Sequence, residues 1–101
     1  MKSESTVQKQ IIEYITQKGG YVIRNANATK SGIADLTVCY KGKYIAIETK
    51  KEKGGVVSEK QKRQAAKLDK AGGVTIFANS LNCVIEFLEK RNKWKNIQVY
   101  R

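Results

Sequence analysis

Asp35, Glu48 and Lys50 are the residues of this 101-residue chain whose types and spacing can do chemistry together. The stretch "YIAIETKK", Tyr44 to Lys51, starts as an ordinary half-buried strand and ends in Glu48, Thr49, Lys50 and Lys51. Strand side chains alternate between faces, so Glu48 and Lys50 project to one side and Thr49 to the other. The run "IADLTVCY" precedes it, separated by Lys41-Gly42, so the two read as a β-hairpin. With Lys41 and Gly42 as a two-residue loop, Cys39 faces Tyr44, Thr37 faces Ala46 and Asp35 faces Glu48. The opposite face pairs Leu36 with Ile47 and Val38 with Ile45, an apolar seam of the kind that sets register. An odd-length loop or a bulge would shift the pairing.

Opposed side chains in a hairpin lie roughly 5 Å apart at Cβ, and like charges there cost up to about 1 kcal/mol. A chain with nine acidic residues against twenty Lys and Arg has no need to pair two of them. A divalent cation would remove the penalty, because hard cations such as Mg²⁺ take carboxylate, carbonyl and water oxygens. Lys50, on the same side, can then orient or deprotonate a water, or stabilise charge building on a phosphate. These are the parts for metal-assisted hydrolysis of a phosphodiester. Taken singly, the same residues also read as solvated groups at strand ends, and E-x-K alone specifies little. The weight comes from juxtaposition, composition and element order together.

The net charge of +11 points to a polyanionic partner such as nucleic acid. A solubilising surface, or an acidic membrane or protein partner, fits the same excess. The absence of histidine excludes nucleases with a His general base and zinc sites built on His. Cys39 and Cys83 lie far apart and form no C-x-x-C pair, which excludes a zinc ribbon; both are expected as small core residues in a reducing compartment. Any metal site must therefore be built from oxygen. No apolar run approaches a bilayer span and no signal-peptide pattern opens the chain. A soluble, intracellular, cytoplasmic protein is expected, with no membrane partner. The length suits one domain over residues 1–101.

Glycines divide the sequence into elements. "STVQKQIIEYITQK" reads as a helix, with Ser5 and Gln8 fitting a capping box, Val7, Ile11, Tyr14 and Ile15 recurring at helical spacing, and Gly19-Gly20 as the stop. "YVIRN" is a short strand, followed by the polar loop "ANATKS". After the hairpin and a Lys- and Gly-rich loop, "SEKQKRQAAKLDKAGG" reads as a second helix, with Ser58 and Gln61 as its capping box and Gly72-Gly73 as its stop. "VTIFA" is a strand, "SLNCVIEFLEK" a helix with Leu81, Val84, Ile85 and Leu88 on one face, and "NIQVY" a candidate last strand. A hairpin combined with strand–helix–strand connections implies an α/β fold: a mixed sheet flanked by helices, in the order α-β-β-β-α-β-α(-β).

"GIADL", Gly32 to Leu36, followed by "ETK", Glu48 to Lys50, resembles the PD-(D/E)XK nuclease core, the restriction-endonuclease-like fold, and the element order matches it over nearly the whole chain. More narrowly, the sequence is similar to small stand-alone VRR-NUC domains, many of them from phage, in which S-x-x-Q opens the helix after the catalytic strand, as Ser58 to Gln61 does here. The resemblance implies that Asp35, Glu48 and the Thr49 carbonyl bind Mg²⁺ or Mn²⁺. It assigns Lys50 to the water and the transition state, and Gln61 to the edge of the site. Gln61 reads equally as the N3 residue of its capping box. The proline of the motif is Ala34 here, a change that removes no ligand. Resolvase-like members carry a metal-reaching glutamate on the first helix, and Glu13 is placed to be it. On a helical wheel Glu13 lies opposite Val7, Ile11 and Ile15, which fits a solvated group as well.

The second helix carries Lys60, Lys62, Arg63, Lys67 and Lys70, and the loop before it Lys51 and Lys53. A basic helix beside a metal site would grip phosphates with little regard to base sequence. Lys30 and Ser31 precede Gly32 and are candidate backbone contacts. Trp94, within "KRNKWKN", is a base-stacking residue or an aromatic lid over the core. By resemblance, the expected activity is a homodimeric, structure-selective endonuclease acting on branched DNA such as four-way junctions, with no small-molecule cofactor. The rivals are a catalytically silent nucleic-acid-binding module and a nuclease subunit of a larger restriction or replication assembly.

Overall fold

In the computed structural model the described residues are 2–25, 33–51, 53–90 and 97–99. Lys30, Ser31, Gly32 and Trp94 lie outside them. Helix α1 (Glu4–Gln17) begins at Ser3, whose Oγ accepts from the Thr6 N–H at 3.2 Å. The start is thus two residues earlier than the Ser5–Gln8 box predicted. Starting there places Glu4 in the first turn, where the helix dipole favours an anion, and it leaves the Gln8 side chain free for another partner. Strand β1 (Tyr21–Arg24) follows, then β2 (Leu36–Tyr40) and β3 (Lys43–Thr49). Helix α2 (Glu59–Lys70) leads to β4 (Val74–Ala78), and α3 (Leu81–Glu89) to β5 (Ile97–Val99).

The five strands form one sheet in the order β1-β2-β3-β4-β5. β1, β2 and β3 are antiparallel neighbours, while β3, β4 and β5 run parallel. The sheet is therefore mixed, as the pattern of hairpin and helical crossovers requires. One face carries Leu36, Val38, Ile45, Ile47, Val74 and Ile76, all buried, against Val7, Ile11 and Ile15 of α1 and Val84 and Leu88 of α3. Phe87 belongs to the buried face of α3, whereas Ile85 is only half-buried. The short helix rotates slightly from the apolar face expected, and Phe87 is the larger group to bury.

Helix α2 lies over the opposite face, with Ala65 its buried contact. It covers only part of that face. Cys39, which alternation places there, is exposed, and Cys83 is half-buried. The expectation of two core thiols fails for Cys39 because, among the described residues, no helix covers β1 and β2 on that side. Among the described residues, no helix is long and apolar enough to cross a membrane.

Candidate active site

The hairpin turns on Lys41 and Gly42, with φ of 52° and 77°. Two consecutive positive φ values define the two-residue turn whose twist suits antiparallel strands, and glycine at the second position makes it inexpensive. The register follows: Tyr40 opposes Lys43, Cys39 Tyr44, Val38 Ile45, Thr37 Ala46 and Leu36 Ile47. One step beyond the last pair, Asp35 and Glu48 come together at the end of the hairpin.

Each acid is held differently. Asp35 Oδ2 accepts from the Thr49 N–H at 2.8 Å and from the Thr49 hydroxyl at 2.8 Å. Thr49 Oγ1 in turn accepts from Gln8 Nε2 at 3.1 Å, which ties α1 to the carboxylate through one hydroxyl. On the other side, Asn25 fixes the backbone before Asp35. Its N–H donates to the Asp35 carbonyl at 2.9 Å, and its Nδ2 donates to the Ala34 carbonyl at 2.8 Å and to Thr37 Oγ1 at 3.0 Å. Both bonds to the Asp35 carboxylate land on Oδ2, leaving Oδ1 outside this network. Glu48 is only 4% exposed. Burial pushes its carboxyl up to about 7, and the Asp35 charge pushes the same way; Lys50, the Asp35 N–H and the Gln61 side chain oppose them.

Lys50 leaves the sheet where its N–H bonds to the Ala78 carbonyl at 2.8 Å. Its Nζ donates to Gln61 Oε1 at 2.8 Å. The same Oε1 accepts from the Ser58 N–H at 3.0 Å, while Ser58 Oγ accepts from the Gln61 N–H at 3.1 Å, so the capping box of α2 is complete. Gln61 therefore caps the helix and also joins Lys50 and Glu48 through its side chain. The start of α2 and the end of β3 become one polar unit.

A search with the sequence finds no matching family model and no matching curated protein. The fold, however, matches a solved structure described as a VRR_NUC domain, with a TM-score of 0.74 and 26% sequence identity, covering 87% of this chain and 97% of that one. The chain is thus similar to a VRR_NUC domain over most of its length. A VRR-NUC domain is a nuclease-type domain, and the polar unit at the end of the hairpin is where its chemistry is to be sought.

In this chain, Asp35, Glu48, Thr49, Lys50 and Gln61 are gathered at one place. Glu13 is exposed on α1. Lys51, Lys60, Lys62, Arg63 and Lys67 are all exposed, along the loop and outer surface of α2, with Lys62 paired to Glu59 at 3.3 Å. Sequence reasoning did not single out Asn25, and it read Gln8 only as the capping-box partner of Ser5. Gln8 borders the buried positions Val7 and Ile11, so the helical pattern could mark it as a polar group at the core edge. Its partner, forty-one residues on, is set only by packing α1 on β3.

Proposed function

We propose that this domain is a Mg²⁺- or Mn²⁺-dependent endonuclease that hydrolyses phosphodiester bonds in branched DNA, with Holliday junctions as the expected substrate. The observation that carries this reading is the buried Glu48 carboxyl set against Asp35, a pairing of like charges in a strongly basic chain. The donor set suits a hard divalent ion: two carboxylates, with the Thr49 carbonyl and water or substrate oxygens to complete it. Among the described residues, no three His, Cys, Asp or Glu side chains cluster. The proposed protein ligands are therefore Asp35, Glu48 and Thr49, and the exposed Glu13 is left out.

When bound, such a cation stabilises negative charge on the phosphate and makes water a stronger nucleophile. The chain's own residues do the rest. Thr49 and Gln8 hold Asp35 in one orientation, and Gln61 holds Lys50 beside Glu48. The role proposed for Lys50 Nζ, which donates to Gln61 Oε1 at 2.8 Å, is to orient the attacking water and to offset charge on the phosphate in the transition state. The lysines and arginine of α2, with Lys51, supply backbone contacts that read charge rather than sequence. Symmetric cutting of two strands needs two sites, and one chain supplies one, so a two-fold dimer is part of the proposal.

The test is a labelled four-way junction and a matched linear duplex, each incubated with Mg²⁺, Mn²⁺ or EDTA. Paired, metal-dependent cuts confined to the junction, lost in Glu48→Ala and Lys50→Ala while binding persists, are expected. Cutting of both substrates would remove the structure selectivity, and tight binding without cutting under any metal would overturn the nuclease reading.

A further inference from the structure

The two faces of the sheet are packed with side chains of different size. Toward α1 and α3, strands β3 and β4 present Ile45, Ile47, Val74 and Ile76, each at most 1% exposed. Toward α2, the same strands present the buried Glu48 and Phe77 as one register pair and, two residues back along each strand, the smaller pair Ala46 and Thr75, and the buried residue of α2 is Ala65. Small groups facing small groups leave a gap. A cleft of about 200 Å³ lies between α2 and the sheet, with Glu48 and Gln61 in its lining alongside Ala46, Thr75 and Tyr44. Tyr44, at 52% exposure, stands at its mouth, while Thr75, at 3%, lies at its floor. The volume exceeds that of a few waters and is smaller than a drug-sized ligand requires. It suits a small planar fragment.

Thr75 gives the cleft a chemical character. Its Oγ1 is buried and has no hydrogen-bond partner among the described residues. An orphan hydroxyl inside a strand is destabilising, and valine would occupy nearly the same space without that penalty. Thr75 is part of the cleft lining, and one χ1 step exchanges its methyl and hydroxyl, offering Oγ1 to an occupant. Gln64, also in the lining, adds an amide with both donors and an acceptor. The exposed Tyr44 adds a face on which a ring can stack. Ala46 is two residues from Glu48 on one strand, about 7 Å away, so an occupant would sit one group away from the carboxylate pair.

We propose that this cleft receives a single unstacked nucleobase next to the scissile phosphate, its edge meeting Thr75 Oγ1 and the Gln64 amide and its face against Tyr44. The proposal rests on the nuclease reading and adds a substrate requirement to it. The favoured DNA is one in which a nucleotide leaves the stack at little cost, as at a branch point or mismatch.

A four-way junction carrying 2-aminopurine at each nucleotide flanking the cut tests this, with Ca²⁺ replacing Mg²⁺ during the binding measurement. Binding should raise 2-aminopurine emission at one position, and Ala46→Leu, which fills the cleft, should return it to the level of free DNA. Thr75→Val, nearly isosteric and independent of whether Ala46→Leu folds, should lower kcat/KM about fivefold, the worth of one neutral hydrogen bond. That loss should vanish on a junction with an abasic site at the same position. Unchanged emission at every position while the wild type still cuts would overturn the cleft proposal and leave the nuclease intact. So would a rise in emission that neither variant alters. A rise that depends on Ala46 and Thr75 but is accompanied by no cleavage with Mg²⁺ or Mn²⁺ would support the base pocket and overturn the nuclease reading.

Discussion

Glu48 links the site to the stability of the whole chain. An ordinary glutamate ionises near 4.5, whereas burial and Asp35 hold this one up to about 7. Between those values the folded chain keeps a proton that the unfolded chain has lost, so stability is full below about 4.5 and is lost as pH rises through 7. The loss is at most about 3.5 kcal/mol, since each tenfold difference in proton affinity is worth about 1.4 kcal/mol. Thermal melts in EDTA should therefore show the melting temperature falling across this window, and Glu48→Gln should flatten the profile. A wild-type melting temperature that rises with pH there would contradict the assignment. Under the metal-site proposal, added Mg²⁺ should oppose the decline, because a cation binds the ionised form. Gln61 permits a second separation. Gln61→Glu keeps a capping acceptor but loses the amide donor beside Glu48, whereas Gln61→Ala loses both. Junction cleavage should fall in both variants, while denaturation should show a loss of about 1 kcal/mol in Gln61→Ala and a much smaller one in Gln61→Glu.

At the scale of elements, the hairpin makes the site. Its turn needs positive φ at Lys41 and Gly42, and lysine is poorly suited to that region. Lys41→Asn should raise stability by a few tenths of a kcal/mol, and Gly42→Ala should lower it by about 1 kcal/mol, both measured by urea denaturation. Neither should move the register, because Leu36–Ile47 and Val38–Ile45 hold it from the core side. That register was legible in the sequence for the same reason: alternation and one tight turn leave little choice. The start of α1 was less legible, since Ser3 and Ser5 both resemble caps. Local chemistry does not rank them, and the helix takes the longer option.

At the scale of the molecule, an excess of positive charge predicts binding dominated by phosphate contacts. DNA affinity should fall steeply with salt, with a slope near −0.9 per phosphate neutralised. The Lys60→Ala/Lys67→Ala double variant should reduce that slope by up to about 2 and weaken junction and linear duplex alike. A loss confined to junctions would instead place shape recognition on α2. Fluorescence anisotropy over a salt series measures both.

The order of elements, the hairpin register and, through them, the meeting of Asp35 with Glu48 follow from the order of residues in the chain. They depend on periodicity, on turn residues and on contacts close in sequence. Packing in three dimensions was needed to bring Gln8 to Asp35 through Thr49, to join Gln61 to Lys50 while it caps α2, to leave Cys39 uncovered, and to open a cleft between Ala46, Ala65 and Thr75. Each of these depends on where one element lies against another distant in sequence, and side-chain pattern names the face a residue takes but not what will be packed against it.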